Sequence, residues 1–483
     1  MTQDSVGSML QVSMAKDAKL IELEKKSMVP LLLSYSLPAI VGMVAMSIYN
    51  IVGAIYVGQW CGTAAVKAMA LVFPVLNLMV AVGTLVGLGC AASASIALGQ
   101  GKRKRALNIL GHCLVLSFAS SVLVGWLPLP WIGDIMLAFG ANENTLAPCC
   151  DYMLVLMLWF PFNSVFLGLN HLMRASGYPR KAMVSLIISM VVNVIVAPVF
   201  IYCLGWGIAG AGIATAVAQT VGLVWVLMHF CRNDVVLHFK RGIYAINWPL
   251  TRRICTIGMP PCLLNIVACV IVLLFNYSFL RFDGDAGVGA FGTVNRVIFF
   301  FLMVVAGITQ GMQPIAGYNL GLGKYCRVRM VLMYAMVFAT IVTVVGTVMM
   351  QLFPREIAEL FVKEVRDDGT IDTNATYIIN LAGYGLTIVS IMFPFVGSQI
   401  VISNFFQAIG RPVMSIFLTL TRQLIFLLPC LLVLPWLYGE SGVWYAQVMA
   451  DALAVIMGFA VISVFLTRVF PRKSFCIKPD SLS

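Results

Sequence analysis

Charged side chains are scarce in this sequence of 483 residues: Asp, Glu, Lys and Arg make up 10% of it, and only 4 histidines occur. A soluble globular protein carries about 25% charged residues, so a water-soluble fold is excluded. Hydrophobic residues reach 61% and form runs of about 20 residues or more, long enough to cross a hydrocarbon core about 30 Å thick. These runs lack the alternation of a membrane β-barrel. The sequence therefore predicts an all-α, polytopic membrane protein.

Catalytic and metal-binding motifs are also lacking. There is no HExxH, no GxSxG and no CxxC among the 13 cysteines, so neither a hydrolase site nor a zinc site is indicated. The motif Gly99-x-Gly101-Lys102 follows a predicted helix, which argues against a nucleotide-binding loop. We expect no enzymatic activity, no bound metal and no cofactor, apart from a transported H⁺ or Na⁺ that would act as the coupling ion.

Twelve apolar spans lie between the charged clusters. They cover residues 29–57, 64–97, 106–128, 150–175, 181–204, 208–231, 251–281, 288–319, 327–352, 376–408, 412–437 and 442–468. Alternate connections between them differ in charge, with sixteen Lys and Arg residues on one side and five on the other. The positive-inside rule predicts that the basic side and both termini face the cytoplasm, in a multi-pass protein of the cell membrane.

The two halves of the chain resemble each other. Leu98-Gly99-x-Gly101-Lys102 recurs as Leu320-Gly321-x-Gly323-Lys324, and Phe160-Pro161-Phe162 recurs as Phe393-Pro394-Phe395. Six helices per half give both halves the same topology, hence a parallel internal repeat. The predicted domains are a cytoplasmic tail (1–28), a six-helix lobe (29–231), a cytoplasmic linker (232–250), a second six-helix lobe (251–468) and a second cytoplasmic tail (469–483).

Motifs spread over residues 30 to 460 carry a family resemblance. They include Leu37-Pro38-Ala39-Ile40, Leu172-Met173-Arg174-Ala175-Ser176-Gly177-Tyr178-Pro179 and Gly311-Met312-Gln313-Pro314-Ile315-Ala316-Gly317. These segments resemble the multidrug and toxic compound extrusion (MATE) family. The resemblance implies two lobes facing a central cavity, and export of cationic or amphipathic compounds in exchange for Na⁺ or H⁺.

The chain departs from the family pattern at two positions. Many bacterial members have an aspartate in the first helix and another in the fifth, and the resemblance implies that these form a cation site with an asparagine and a threonine. Asn193 and Thr215 keep their places here, but the aspartate positions are Gly53 and Ala197. This site therefore lacks both titratable groups.

Polar residues within the predicted spans are the candidate substrate and cation ligands, because a polar side chain facing lipid is costly. The candidates are Tyr49, Asn50, Asn163, Asn170, Asn193, Thr215, Asn276, Asn295, Arg296, Gln310, Gln313 and Asp451. For each amide, an ordinary interhelical hydrogen bond is the competing interpretation. Pro161 and Pro394, repeated in the same Phe-Pro-Phe context, are candidate hinges.

Asp451 is the acidic residue that lies clearly inside a span. A buried carboxylate must either be paired or take up a proton. Two interpretations follow: a coupling or substrate-charge site, or a structural ion pair with Arg422 or Arg296.

Together these features predict a secondary active efflux transporter that works by alternating access of two lobes. Its expected partners are a small organic substrate and the lipid bilayer; we expect a monomer and no nucleic-acid partner. One alternative is a lipid-linked saccharide flippase of the same superfamily, which would use Arg296 and Arg422 in its cavity. The other is an uncoupled or otherwise coupled transporter, because of Gly53 and Ala197.

Overall fold

A computed structural model describes residues 19–362 and 373–469, without the side chains of Asn50, Thr63 and Val469. We number its long apolar helices α1 to α12. In the first half these are α1 (Met28–Trp60), α2 (Gly62–Gly99), α3 (Arg103–Gly125), α4 (Glu143–Ala175), α5 (Pro179–Pro198, extended by the π-helical Val199–Cys203) and α6 (Gly207–Cys231). Short helices Leu129–Trp131 and Ile132–Ala138 follow α3.

The second half begins with one helical element, Trp248–Gly321, of 74 residues. At 1.5 Å per residue it would be about 110 Å long, several times the thickness of a bilayer core. Gly284 in its interior has φ 60° and ψ −145°, which breaks the helix. We therefore number residues 248–283 as α7 and residues 285–321 as α8.

Four further spans complete the second half. They are α9 (Tyr325–Leu352), α10 (Thr373–Val389 with Phe393–Ala408), α11 (Pro412–Leu420, the π-helical Thr421–Leu427, and Leu428–Tyr438) and α12 (Glu440–Val469), with the short helix Pro354–Glu359 after α9. Ten of the described helices are long and apolar enough to cross a membrane, and the bent pair in α10 forms an eleventh span. Because Gly284 divides one of the ten, the described chain has the twelve spans that the hydropathy predicts.

Helix α4 begins earlier than the hydropathy predicts because its first turn is polar and capped. Asn142 Oδ1 accepts a hydrogen bond from the Thr145 backbone N–H at 3.1 Å, and Thr145 Oγ1 accepts one from the Asn142 N–H at 3.0 Å. This capping box supplies partners for backbone groups that a helix start leaves unsatisfied. Local hydrogen bonding, not hydrophobicity, therefore sets this boundary.

The described chain packs as two compact units. The first holds residues within Met1–Asn265, Gln310–Lys324 and Gln407–Pro412, and the second holds the rest. The first unit therefore contains α1 to α6, but also the beginning of α7, the end of α8 and the end of α10.

Glycines permit close helix packing in the first unit. A Cβ atom on Gly99 of α2 would overlap the carbonyl oxygen of Tyr318, and a Cβ atom on Gly321 of α8 would overlap that of Ile96. Gly99 and Gly321 belong to the repeated Leu-Gly-x-Gly-Lys motif. The motif thus lets two helix backbones approach more closely than any other residue would allow.

A short helix over residues 19–25 precedes α1 and belongs to the same unit. Leu23 is fully buried, and its carbonyl oxygen accepts a hydrogen bond from Asn319 Nδ2 at 3.2 Å. Glu24 forms an ion pair with Lys324 at 2.8 Å. From residue 19 onward, the segment predicted as a tail is therefore packed against α8 and the turn that follows it.

An aromatic cluster forms the core of the second unit. The rings of Phe275 and Phe291 stack with centroids 4.8 Å apart, and Phe279 lies 4.5 Å from the fully buried Trp444. Such ring pairs contribute roughly 0.5–1.5 kcal/mol each beyond their buried area. The cluster links α7, α8 and α12.

Helix α10 is broken, which the hydropathy does not predict. Its two parts meet at a bend of 61°. Ser390, Ile391 and Met392 separate them, and Phe393 begins the second part. A break inside an apolar span frees backbone carbonyls that lipid cannot hydrogen-bond, so the protein itself must supply donors.

Helix α9 supplies those donors. Thr343, Thr347 and Gln351 are spaced four residues apart and therefore lie on one helix face. Thr343 Oγ1 donates to the Pro394 carbonyl at 2.9 Å, Thr347 Oγ1 donates to the Ser390 carbonyl at 3.3 Å, and Gln351 Nε2 donates to the Ser390 hydroxyl at 2.8 Å. This polar face holds the break in place.

Thr343→Val should destabilise the break while preserving side-chain volume. Pro394 lies inside the helix Phe393–Ala408, so the substitution removes one interhelical hydrogen bond, at a cost of about 0.5–1.5 kcal/mol. We expect a lower apparent melting temperature of the detergent-purified protein. The matched control is Thr467→Val, because the exposed Thr467 hydroxyl bonds only carbonyls of its own helix. Equal melting temperatures for the two variants would contradict this role of Thr343.

Candidate functional site

A small cavity of about 30 Å³ lies in the first unit, between α1, α4, α5 and α6. Its polar lining comes from Tyr49, Asn163, Ser189 and Gln219, and its apolar lining includes Met46, Phe166, Leu186 and Met190. This volume suffices for a water molecule, whereas a pocket for a drug-sized ligand measures about 300–1,000 Å³. A larger cargo would have to displace the flexible methionines and neighbouring side chains.

Tyr49 connects this cavity to α6. Its hydroxyl donates a hydrogen bond to Thr215 Oγ1 at 3.1 Å, and the Thr215 hydroxyl in turn donates to the Ala211 carbonyl at 3.0 Å. Three of the predicted residues, Tyr49, Asn163 and Thr215, are therefore close together. The side chain of the predicted Asn50 lies outside the described part of the structure.

The positions of the missing aspartates contain no acidic group. A Cβ atom on Gly53 would have no neighbour within 4 Å, and Ala197 is 2% exposed. Asn193 is buried, 3% exposed. There is thus open space beside Gly53, and neither Gly53 nor Ala197 supplies a carboxylate.

Asn170 forms an interhelical contact. Its Nδ2 donates to the Ala182 carbonyl at 2.9 Å and to Ser185 Oγ at 2.7 Å. Both partners lie on α5, so Asn170 fastens α4 to α5. These contacts fit the competing interpretation of the candidate amides, an ordinary hydrogen bond between helices.

A second polar cluster of the first unit surrounds Arg174 near the end of α4. Arg174 is 8% exposed; its Nη1 donates to Gln310 Oε1 and its Nη2 lies 3.0 Å from His171 Nδ1. Gln310 Nε2 also contacts the sulfur of Met43 at 3.4 Å. Gln313, 9% exposed, is buried on the same helix as Gln310. The guanidinium is therefore stabilised by neutral partners.

In the second unit the predicted residues are dispersed. Asn276 is half-buried, while Asn295 and Arg296 are exposed. The side-chain partners of Asp451 are Arg422 and Gln447 instead.

Asp451 instead forms a buried ion pair with Arg422. Arg422 Nε donates to Asp451 Oδ1 at 2.8 Å, and Gln447 Nε2 donates to Asp451 Oδ2 at 3.1 Å. The Asp451 side chain is 5% exposed and that of Arg422 is 16% exposed. Arg422 and Arg296 were the two partners considered from sequence, and the structure pairs Asp451 with Arg422.

The two candidate hinges differ in their surroundings. Pro161 lies inside the unbroken α4, whereas Pro394 is the second residue after the break in α10. The repeated Phe-Pro-Phe motif therefore accompanies two different local structures, a continuous helix at Pro161 and a helix start beside a 61° bend at Pro394.

Several residues of these sites were not among the sequence candidates. Ser189 was missed, although it lies one turn before Asn193 on α5 and so shares its face. The ladder Thr343, Thr347 and Gln351 was also missed, although its i, i+4, i+8 spacing in an apolar helix was a usable signal. Among the described residues, no group of three or more His, Cys, Asp or Glu side chains could hold a metal ion.

Twelve apolar spans with polar side chains inside them define a multi-pass membrane protein of the transporter type. The MatE family model matches residues 38–199 and 260–432. The chain belongs to this family, that of the MATE transporters.

Similar proteins agree with this assignment. "Multidrug export protein MepA" of Staphylococcus aureus (strain MRSA252) is 25% identical over 453 residues, covering 94% of this chain and 97% of its own. The protein of the same name from Staphylococcus haemolyticus (strain JCSC1435) is 24% identical, covering 96% and 100%.

Solved structures show the same fold. The "MATE multidrug transporter DinF-BH" is 30% identical with a TM-score of 0.83, covering 92% of this chain and 97% of its own. A MOP superfamily transporter from Pyrococcus furiosus is 22% identical with a TM-score of 0.86, covering 92% and 98%.

Proposed function

We propose that this protein is a secondary active exporter of cationic or amphipathic small organic molecules, driven by entry of H⁺ or Na⁺. The observation that carries the proposal is the match to relatives named multidrug export proteins along almost the whole chain. The excess of Lys and Arg on one side of the membrane supports a topology with both termini in the cytoplasm. Alternating access of the two halves would then move cargo outward.

The first-unit cavity is the proposed contact point for cargo. Tyr49, Asn163 and Gln219 offer hydrogen-bonding groups, while Phe166 and the methionines offer adaptable apolar surface. No charged side chain lines it. This lining suits amphipathic molecules of varied shape better than it suits one specific anion.

A lipid-linked saccharide flippase is less well supported. That function needs unpaired cations facing a pyrophosphate, and the two candidates from sequence were Arg296 and Arg422. Arg422 is paired with Asp451 at 2.8 Å, which leaves Arg296 alone of the two to meet a pyrophosphate. Neither arginine lines the cavity of the first unit.

Efflux in cells tests the proposal. A bacterial strain that lacks its own drug pumps would be loaded with ethidium and energised, with and without the protein. We expect faster loss of ethidium with the protein, and loss of this difference when a protonophore and a sodium ionophore are added together. Ethidium retention equal to that of the empty-vector strain would contradict the proposal.

Asn163→Leu should weaken export of ethidium. The substitution removes a polar group from the cavity at similar volume, and one lost hydrogen bond of about 1 kcal/mol lowers affinity roughly fivefold. Initial efflux rates at low ethidium concentration would measure the loss. Asn108→Leu is the matched control, because Asn108 is exposed at the start of α3. Equal efflux rates for both variants would rule out a role of Asn163 in binding.

A further inference from the structure

The ion pair of the second unit lies deep in the membrane. Asp451 lies about 16 Å along α12 from its start at Glu440, counted at 1.5 Å per residue. This is about half the thickness of the hydrocarbon core. A buried ion pair seldom stabilises a protein more than apolar residues of similar size would, so its presence at this depth points to function.

We propose that Asp451 is the proton-carrying group of the exporter, with Arg422 as an internal counter-ion that leaves when the carboxylate takes up a proton. This inference rests on the proposed function and names the coupling site for it. It moves coupling to the second unit, away from Gly53 and Ala197.

The contacts of Asp451 fit a proton and not Na⁺. A guanidinium occupies one carboxylate oxygen, and the other accepts a hydrogen bond from the Gln447 amide. Na⁺ would need several oxygen ligands and would be repelled by Arg422 at this distance. A proton needs only one remaining lone pair on a carboxylate oxygen, and each oxygen has two.

The backbone beside Arg422 offers a way for it to leave. Arg422 is the second residue of the π-helical segment Thr421–Leu427. The hydrogen bonds of a π-helix span one residue more than those of an α-helix, and such segments are frequent at functional sites. Conversion to α-helix would turn the flanking residues by about 100° and carry Arg422 away from Asp451. The buried Thr421 hydroxyl has no hydrogen-bond partner, which marks the segment as incompletely satisfied.

Other titratable groups on the elements around α12 lie elsewhere. Helix Phe393–Ala408, which packs on Gly458, contains none. The Tyr384 hydroxyl contacts Ser441 at 3.2 Å, near the start of α12, and Glu440 interacts with Asp283 there. Tyr438 at the end of α11 contacts Tyr445. Arg422 is thus the charged group that contacts Asp451 among the described residues.

Asp451 gains and loses one proton in each cycle of this exporter. Deprotonated Asp451 and Arg422 together have a net charge of zero. Uptake of one H⁺ converts the carboxylate to a neutral carboxylic acid, while Arg422 keeps its proton and its positive charge. A buried carboxylate without its counter-ion holds a proton because the isolated anion is far more costly. Release of H⁺ on the other side restores the pair. One proton therefore crosses per cycle.

Purified protein in liposomes containing the pH indicator pyranine tests the assignment. We compare ethidium-driven proton release, ethidium accumulation under a pH gradient, and ethidium exchange without a gradient. Asp451→Asn should lower proton release and gradient-driven accumulation roughly 100-fold, the scale for losing a proton-transfer group. Exchange without a gradient should stay within about twofold, because asparagine resembles the protonated acid. Glu440→Gln is the matched control on the same helix and should leave all three rates unchanged.

The outcomes separate the two proposals. Proton release by Asp451→Asn at the wild-type rate would overturn the assignment, and so would wild-type export driven by Na⁺ alone. If Asp451→Asn fails to fold, the double variant Arg422→Leu with Asp451→Leu takes its place, because it removes both charges. Ethidium exchange without proton release by this double variant would support the assignment. Ethidium accumulation driven by a pH gradient would overturn it. Absence of ethidium export by the wild type under every gradient would overturn the proposed function itself.

Discussion

Gly258→Ala is expected to destabilise the protein by about 3 kcal/mol, the upper range for an added carbon in a packed interior. A Cβ atom at this position in α7 would overlap the Leu85 carbonyl oxygen of α2. The contact is reciprocal, because a Cβ atom on Gly89 of α2 would overlap the Ile254 carbonyl oxygen of α7. Backbone atoms cannot rotate away as a side chain can, so the two helices would have to separate.

Thermal unfolding in detergent measures this effect. A loss of about 3 kcal/mol should lower the apparent melting temperature by roughly 3 °C in a chain of 483 residues. Gly292→Ala in α8 is the matched control, because no atom lies within 4 Å of a Cβ built there. Alanine favours a helix over glycine by about 1 kcal/mol, so the control should melt at the same temperature or slightly higher. A Gly258→Ala variant as stable as Gly292→Ala would show that α2 and α7 do not pack this closely.

Arg422→Leu is expected to cost about 3–5 kcal/mol near neutral pH, because it leaves Asp451 buried without its counter-ion. The double variant Arg422→Leu with Asp451→Leu should recover most of that loss, since neither charge then remains in the interior. Melting temperatures of the wild type, both single variants and the double variant form a double-mutant cycle that isolates the coupling between the two residues.

The pH dependence of Arg422→Leu has a definite sign. Its unpaired carboxylate can avoid the penalty by binding a proton, so the variant should approach wild-type stability as the pH falls. The double variant should show no such recovery. A single variant whose loss of stability is the same at acid and neutral pH would contradict an ionised Asp451 in the pair.

The spans could be predicted from sequence because hydrocarbon imposes length and composition on each of them. Even the division of Trp248–Gly321 was visible, since Asp283-Gly284-Asp285 combines charge with a residue that accepts positive φ. The break in α10 was not visible. The whole segment is apolar and long enough to be read as one span. The donors that stabilise the break lie on α9, so only the tertiary structure reveals the break.

The sites were predicted only in part, for a similar reason. Sequence identified the polar residues within spans, but half a turn of a helix, about two residues, separates a residue that lines a cavity from one that faces away. Tyr49 and Thr215 meet across two helices, whereas Asn170 bonds to α5 and Asn295 is exposed. Asp451 was predictable as a buried acid; the choice of Arg422 over Arg296 depended on helix rotation and on the π-helical segment.

The proposed function requires that an ion gradient alone drives export. Ethidium accumulation in liposomes containing the purified wild-type protein, without nucleotide and with the membrane potential held at zero by equal potassium and valinomycin, tests it most directly. We predict that ethidium enters against its gradient when the lumen is acidic, and that accumulation stops when a protonophore removes the pH difference. Ethidium that only equilibrates across the membrane, whatever H⁺ or Na⁺ gradient is imposed, would contradict the claim.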